Sequence, residues 1–366
     1  MRLPPDVSLR IAEDAVDAKA QSPSAEPRRR SQMSEENSIR LRQVAGISPE
    51  TAEALGQVGV FTAEQLIGMA DVPGVGEHLA AQLKVTADDL AAIVEAARGV
   101  APPIELPQPT DQSMGALPPD PTAIAMMPTT VRAPPAGLPV SVNLISKMSA
   151  IRDQGQRGTC VAFALTGVHE LHRTKFGPLP DLSEQHLYHE AKRVDGSPGV
   201  CGTWQVKAVN VLQAVGECVE TVWPYNKSPP CNNNGTVPGA AAGDAATRKC
   251  QPVILSPNDV PGAKALLAGG SAVGLSVPVY NSWYASLAVK KTGDITMRLS
   301  GEHPVGGHAV CLVGYQDNPE YPGGGYFLVR NSWGAAWAYA SVHGAGYGTI
   351  PYAYIAQDAW ELVSAA

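Results

Sequence analysis

Long hydrophobic runs are missing from this sequence. Of its 366 residues 44% are hydrophobic, yet no stretch approaches the roughly 18 consecutive apolar residues of a membrane-spanning helix. Residues 1–20 also lack the apolar core that a secretory leader needs. We therefore expect no membrane partner, and a protein that is either cytoplasmic or exported without a classical signal peptide.

Basic charge is also scarce. Lysine and arginine together number 27 against 34 aspartate and glutamate residues, which gives a net charge of -7. Because nucleic acids attract basic surfaces, this balance argues against a nucleic acid partner. The chain has 4 phenylalanines but 36 glycines and 32 prolines, a composition that indicates linkers between two or three domains and hints at a bacterial source.

The chain has six cysteines, all within 160–311. An even count suggests disulfides, but the missing leader predicts a reducing compartment, where disulfides are rare. Cys231 and Cys250 bracket a polar loop and could close it with a bridge. The others, apart from Cys160, are interpreted as small buried residues or unpaired thiols: Cys201, Cys218 and Cys311.

The first 100 residues divide into two segments. Residues 1–40 are polar, and we predict a disordered or partly helical tail. Residues 41–100 carry apolar side chains at helical spacing, which predicts a small all-α domain. Helix start signals occur in this domain at three places: Ser48–Pro49, Thr62 and Thr86.

One stretch of the small helical domain resembles a nucleic-acid-binding motif. The sequence VPGVGEHLAAQL at 72–83 is similar to the hairpin of helix-hairpin-helix modules, whose turn offers backbone amides to a DNA phosphate. However, 41–100 holds three basic residues against eight acidic ones, and this field repels phosphate. The charge therefore favours a domain that docks a protein partner or is purely structural.

A cysteine marks the start of a predicted core helix. In RDQGQRGTCVAFAL, residues 152–165, polar and glycine residues give way at Cys160 to an apolar stripe at helical spacing. Unpaired amides and the helix dipole stabilise a thiolate at such a position. Taken alone, however, a cysteine beside an apolar run is typical of a small buried side chain.

Two polar residues far downstream supply what a thiol nucleophile needs. His308 lies in GGHAVCLVGY at the beginning of a predicted strand, and Asn331 ends a second one in YFLVRNSWGAAW. An imidazole takes the proton of a thiol, and an amide side chain holds that imidazole in the useful tautomer. The set of Cys160, His308 and Asn331 therefore predicts acyl transfer through a thiolate.

Five segments of the chain, in order, resemble papain-family (C1) cysteine peptidases of bacterial type. They are QGQRGTCVAF, LSEQHLYHEA, GECVETVWPY, GGHAVCLVGY and RNSWGAAWAYASVHGAGYGTI. The resemblance covers 138–366 and implies an α+β fold: a two-lobed catalytic domain with one helical lobe and one antiparallel β lobe. It implies a cysteine endopeptidase that cleaves peptide or protein substrates and uses neither cofactor nor metal.

The resemblance also assigns roles to individual residues. It makes Cys160 the nucleophile, His308 the general acid and base, and Asn331 the residue that orients His308. Three further roles follow from it: Gln154 in the oxyanion hole, Trp333 shielding the Asn–His hydrogen bond, and Gly202 pairing with the substrate backbone.

The sequence departs from the family pattern before the nucleophile. Arg157 stands where family members usually have a cysteine, which implies that the usual partner, Cys201, is unpaired. The family's helical inhibitory pro-region is missing, and eleven prolines fall within 101–140 instead. Such a run cannot build a helix or a central strand, so we predict over 101–137 an extended linker, a latency segment lying across the cleft, or a self-cleavage site.

Alternative interpretations remain at this stage. The catalytic domain could be a silent papain-fold binding module, or docking through 41–100 could be the main role. Two histidine pairs on predicted helices lack a third metal ligand and are interpreted as exposed: His169 with His172, and His186 with His189. His343 is also expected to face solvent.

Overall fold

The computed structural model describes residues 38–107, 112–127 and 136–366. The predicted tail over 1–40 therefore lies, apart from its last three residues, outside the described residues. Within the described ranges, no helix is both long enough and apolar enough to cross a bilayer.

The N-terminal region is helical, as the apolar spacing predicts. A short 3-10 turn precedes four helices: Leu41–Gln43, α1 (Pro49–Gly56), α2 (Ala63–Ala70), α3 (Val75–Leu83) and α4 (Ala87–Arg98). The side-chain oxygens of Ser48, Thr62 and Thr86 each accept the backbone N–H three residues ahead, which satisfies donors that a helix start leaves open. The three predicted start signals are therefore the helix caps of this region.

A seven-stranded antiparallel sheet forms the β lobe of the C-terminal region. Its strands are β1 (Ser141–Asn143), β2 (Pro252–Leu255), β3 (Val273–Val279), β4 (Gly306–Asp317), β5 (Gly325–Arg330), β6 (Tyr347–Pro351) and β7 (Glu361–Ala365). The order is β2-β7-β3-β4-β5-β6, with β1 paired to β4. The long central strand β4 begins next to His308, and β5 ends one residue before Asn331, so neighbouring strands bring these two residues together.

A helical lobe packs against this sheet. This lobe contains α6 (Cys160–Arg173), α7 (Glu184–Val194) and α8 (Gln205–Ala214). The other helices of the C-terminal region are α5 (Pro121–Ile124), α9 (Ala241–Ala245), α10 (Val260–Ala268), α11 (Asn281–Tyr284), α12 (Leu287–Thr292) and α13 (Tyr352–Asp358). Helix α6 lies against β3 and β4 and is buried along almost its whole length. The first residue of α6 therefore meets the start of β4 at the boundary between the lobes.

The helical N-terminal region packs directly on the C-terminal region. Glu64 on α2 forms an ion pair of 3.0 Å with Lys291 on α12, and the Val58 carbonyl accepts the N–H of Met297 at 2.9 Å. At Gly68 the two backbones approach so closely that a Cβ would lie 2.6 Å from the Cβ of Ala288. Part of the surface predicted to dock a partner is thus occupied by the same chain.

Replacing Gly68 by leucine is expected to separate these two regions. The new side chain has no space against α12, and overpacking of this kind costs about 1–3 kcal/mol. We expect limited proteolysis to remove 38–101 from Gly68→Leu while the C-terminal region resists. Gly76→Ala is the matched control, because nothing lies within 4 Å of a Cβ at Gly76; equal resistance of the two variants would contradict the packing described.

The proline-rich segment contains a helix that the sequence analysis excluded. Helix α5 begins with Pro121, and the Asp120 carboxylate caps it by accepting the N–H of Ala123 at 2.7 Å. Proline is tolerated in a first helical turn because the missing N–H has no partner there anyway. The prediction that this run cannot form a helix is therefore wrong at 121–124.

The expectation that Cys201 is unpaired is wrong, and the bridge that Cys231 and Cys250 could have formed is not present. Cys231 is bonded to Cys201, with Cα atoms 5.6 Å apart, and not to Cys250. Cys250 is a free, buried residue whose N–H reaches the Leu212 carbonyl at the end of α8. Sequence spacing alone does not determine disulfide connectivity, because loops far apart in sequence meet in the fold.

The helix histidines are buried, contrary to expectation. His169, His172 and His186 lie in the core of the helical lobe, since α6 is enclosed on all sides, and His189 is half-buried. His169 forms a 2.8 Å contact from Nδ1 to the Glu217 carboxylate, and burial lowers the pKa of His169 to about 3. The described residues contain no cluster able to hold a metal ion. His343 is half-buried rather than solvent-facing.

Candidate active site

Cys160 is the first residue of α6 and is completely buried. Its Sγ accepts the N–H of Ala309 at 3.4 Å, so the thiol lies beside the residue that follows His308. Burial raises the pKa of the Cys160 thiol to about 12, and the N–H groups of Ala309, Gly115 and Ala116 offset only part of this effect. In this arrangement the sulfur is a neutral thiol at physiological pH.

His308 is oriented by Asn331. The distance from His308 Nε2 to Asn331 Oδ1 is 2.8 Å, and the same Oδ1 accepts the N–H of Ser332 at 2.7 Å. Because Oδ1 can only accept, Nε2 carries the ring proton and Nδ1 has the free lone pair. Nδ1 is buried and bonds to none of the described residues, and burial lowers the pKa of His308 to about 4.

Trp333 covers the imidazole of His308. The two rings stack with centroids 4.3 Å apart and an angle of 24° between their planes. Trp333 is itself buried and packs against Trp283 and Tyr284. Water is therefore kept from the hydrogen bond between His308 and Asn331, and a bond in so dry a site is electrostatically stronger.

Gln154 is fixed in the turn that precedes α6. Its Oε1 accepts the Ser332 hydroxyl at 2.6 Å, and its backbone N–H reaches the Ser332 carbonyl at 2.8 Å. Its Nε2 donates to the Arg157 carbonyl at 2.7 Å and to the Ser113 carbonyl at 3.1 Å. Gln154 thus offers one amide proton to a carbonyl oxygen lying in the cleft.

Residues 112–118, called here the cleft segment, run between the two lobes. Seven hydrogen bonds hold its backbone to the residues on either side. Four are donated by side chains to its carbonyls: Tyr284 to Gln112 O, Gln154 and Trp333 to Ser113 O, and Trp204 to Pro118 O. Three are donated by its own N–H groups: Gly115 and Ala116 to Gly307 O, and Leu117 to Thr203 O. An eighth joins Thr203 N–H to Gly115 O at 3.0 Å. This segment is what buries Cys160.

Gly202 lies beside the cleft segment, but its neighbour makes the backbone pairing. Gly202 has a φ of +94°, and a Cβ there would lie 2.4 Å from the Gly115 carbonyl oxygen. Its own N–H donates to the Tyr188 hydroxyl, whereas Thr203 pairs through both its N–H and its carbonyl. Glycine at 202 leaves room for the cleft segment, and Thr203 is the residue that forms backbone hydrogen bonds with that segment.

The sequence analysis missed several groups at this site. Ser332 fixes both Gln154 and Asn331, and its place beside Asn331 in RNSW was the only sequence signal for it. Tyr225 bonds through its hydroxyl to the Gln154 carbonyl at 2.9 Å, and no local pattern indicates this contact across 71 residues. The part played by Thr203 likewise has no sequence signal of its own.

Comparison with known proteins identifies the family. The family described as "Papain family cysteine protease" matches residues 138–350, more than half of the chain. A peptidase C1-like protein of Acanthamoeba polyphaga mimivirus is 27% identical over 229 residues, covering 59% of this chain and 68% of that protein. Ananain of Ananas comosus is 28% identical and covers 52% of this chain and 50% of its own length.

A solved structure extends this similarity to the fold. Xylellain, a cysteine protease from Xylella fastidiosa, aligns with a TM-score of 0.57 and 26% identity, covering 71% of this chain and 98% of xylellain. This chain spans between half and about two thirds of the two curated relatives named above. On the family match and the shared α+β fold, the chain belongs to the papain family of cysteine proteases.

Proposed function

We propose that this chain is a cysteine endopeptidase with Cys160 as nucleophile, His308 as general acid and base, and Asn331 as the residue that orients His308. One observation carries the proposal: Asn331 holds the proton of His308 on Nε2 and leaves Nδ1 as an acceptor. A buried imidazole with an unused lone pair near a buried thiol is what proton transfer from sulfur requires.

The reaction then follows in two stages. Cys160 gives its proton to His308 Nδ1, and the thiolate attacks the peptide carbonyl carbon. The developing oxyanion accepts hydrogen bonds from Gln154 Nε2 and the Cys160 N–H, a contribution of about 3 kcal/mol per donor. The His308 imidazolium protonates the leaving amine, and water then hydrolyses the thioester with His308 again as base.

Replacing Asn331 by alanine tests the role of the amide. The variant keeps the nucleophile but lets the His308 ring choose either tautomer, so we expect kcat to fall about 10- to 100-fold. The measurement is hydrolysis of a peptide mixture followed by mass spectrometry. The control is Asn210→Ala, a half-buried residue whose side chain bonds to the Val206 carbonyl of its own helix α8. An Asn331→Ala enzyme as active as this control would contradict the proposal.

We further propose that the cleft segment keeps the enzyme latent. It pairs with the Thr203 backbone, and its Ser113 carbonyl accepts the hydrogen bond that the Gln154 amide would otherwise donate to a substrate. It also excludes water from Cys160. The N–H groups of Gly115 and Ala116 act on the Cys160 thiol. The carbonyl of Gly115 is bonded to the Thr203 N–H, and that of Ser113 to the side chains of Gln154 and Trp333. This favours a latency segment over a self-cleavage site within 112–118.

Location, source and the helical domain remain proposals. Disulfides persist in oxidising compartments, so the Cys201–Cys231 bridge favours export over a cytoplasmic location. We propose that 41–100 supports the catalytic region, because α2 packs on α12 and α12 follows the aromatic residues that pack on Trp333. Its helix-hairpin-helix resemblance and a bacterial origin stay predictions.

A further inference from the structure

Arg157, three residues before Cys160, is a completely buried cation. Its guanidinium donates to four oxygen atoms that fix it in place: Gln185 Oε1 at 2.8 Å, Asn226 O, Cys231 O at 2.8 Å and Asn234 Oδ1 at 3.2 Å. These acceptors belong to α7 and to the loop 226–234. The side chain therefore fastens the turn before α6 to two other parts of the helical lobe.

The charge of this guanidinium is not balanced by an anion. No carboxylate of the described residues forms an ion pair with Arg157, and all four acceptors are neutral. The rings of Tyr188 and Tyr225 lie 5.7 Å and 5.2 Å from its central carbon, which adds cation–π attraction. Burying a cation without a counter-ion is costly. Here neutral acceptors bind both terminal nitrogens of the guanidinium, while Nε bonds to none of the described residues.

The backbone of Arg157 also sets the direction of the Gln154 amide. An amide nitrogen has two protons, and the Arg157 carbonyl takes one of them from Gln154 Nε2 at 2.7 Å. The second proton must then point away from Arg157, into the cleft, where the Ser113 carbonyl accepts it at 3.1 Å. That second proton is the one available to an oxyanion.

Tyr225 links the guanidinium to both ends of the same turn. Its ring lies against the Arg157 guanidinium, and its hydroxyl bonds to the Gln154 carbonyl at 2.9 Å and to Thr159 Oγ1 at 2.7 Å. The Thr159 N–H in turn donates to the Arg157 carbonyl at 2.8 Å. Arg157 and Tyr225 thus hold the turn 154–159 closed from one side.

We propose that Arg157 is a positioning residue for the oxyanion-hole donor Gln154. Its guanidinium anchors the turn, and its carbonyl directs one Gln154 proton toward the reacting carbonyl oxygen. This inference rests on the proposed peptidase function and adds a residue that acts through Gln154 without touching substrate.

The test compares two reactions of Cys160 in full-length Arg157→Ala and Arg157→Lys variants. Peptide hydrolysis passes through an oxyanion, whereas alkylation by iodoacetamide does not. We expect kcat to fall about 10- to 100-fold with KM changed less than about threefold, because misplacement by about 1 Å costs this much. The alkylation rate is expected to stay within about twofold, and about 20 mM guanidinium to restore part of the activity of Arg157→Ala.

A double-variant measurement separates positioning from general damage. If Arg157 acts through Gln154, adding Arg157→Ala to Gln154→Ala lowers kcat by less than about twofold more. The inference would be overturned if the kcat losses of the two single variants multiplied in the double variant. It would also be overturned if the rates of hydrolysis and alkylation fell together in Arg157→Ala. If Arg157→Ala does not fold, Arg157→Lys carries the same test with the same expectations.

The control is Arg193→Ala, whose side chain is 64% exposed on α7. It is expected to match the wild type in both reactions. The experiment also separates this inference from the function on which it rests. A wild-type chain that hydrolyses no peptide, with the cleft segment in place or displaced, would overturn both, whereas full activity in the Arg157 variants would overturn only this inference.

Discussion

Replacing Cys160 by alanine is expected to reduce peptidase activity by a factor of about 10⁵ or more. The covalent route needs a nucleophile that forms and then releases a thioester, and an alanine side chain has no nucleophilic atom. The melting temperature should change by less than about 3 °C, since removing one sulfur atom from the core is a small truncation. Peptide hydrolysis is compared with and without Cys160→Ala in chains that also carry Gly115→Val, which displaces the cleft segment. Thermal denaturation is compared in the chains without Gly115→Val.

Cys250→Ala provides the matched control for this prediction. Cys250 is also a free, buried cysteine, but its nearest partner is the end of α8 and not the cleft. The control variant is expected to hydrolyse peptides at the wild-type rate. Residual hydrolysis above one part in about 10³ in Cys160→Ala would mean that the nucleophile is another group.

Replacing Gly115 by valine is expected to raise peptidase activity about 100-fold or more. A Cβ at Gly115 would lie 2.1 Å from the Gly158 carbonyl oxygen. The turn that contains Gly158 is anchored by Arg157 and Tyr225, whereas the cleft segment is held at the surface of the cleft. The cleft segment should therefore be the part that yields, which opens Thr203 and Gln154 to substrate.

The size of this effect follows from the pKa values of the buried pair. Burial raises the pKa of Cys160 to about 12 and lowers that of His308 to about 4, so both groups are neutral in the closed cleft. Displacing the segment readmits water, which lowers the thiol pKa and raises the imidazole pKa. Below the thiol pKa, each unit by which it falls increases the thiolate fraction about tenfold, so two units give about 100-fold.

The measurement is peptide hydrolysis by wild type and Gly115→Val between pH 5 and 9. The variant should show a maximum near neutral pH, whereas the wild type should stay low and rise only toward alkaline pH. Gly239→Val is the control, because Gly239 is exposed and nothing lies within 4 Å of its Cβ. Equal rates in Gly115→Val and this control would show that the cleft segment does not restrain the enzyme.

The helices and strands that carry the site residues were predictable from local sequence patterns. The apolar stripe after Cys160 predicted α6 and its first residue, because a core helix needs apolar side chains on its inner face. The runs that hold His308 and Asn331 predicted β4 and the end of β5 for the same reason. Helix caps at Ser48, Thr62 and Thr86 were predictable because capping involves residues only three positions apart.

What the sequence did not predict depends on contacts between distant segments. The Cys201–Cys231 bridge forms where a loop after α8 folds back onto the segment just before Thr203. The spacing of the cysteines in the sequence does not show that these two segments meet. The histidines of α6 are buried because the helix is enclosed on every side, whereas amphipathic periodicity alone suggested an exposed face. Pairing of Thr203 with the cleft segment depends on backbone register, to which side-chain identity contributes little.

The most direct test of the central claim is the site and rate of labelling by a thiol-directed epoxide. Wild type and Gly115→Val would be treated with the epoxide near neutral pH. The intact mass would give the number of adducts, and mass spectrometry of the digested protein would locate them. We expect a single adduct on Cys160 that forms far faster in Gly115→Val than in the wild type. A label on Cys218, Cys250 or Cys311, or no label in either protein, would contradict the claim that Cys160 is the nucleophile covered by the cleft segment.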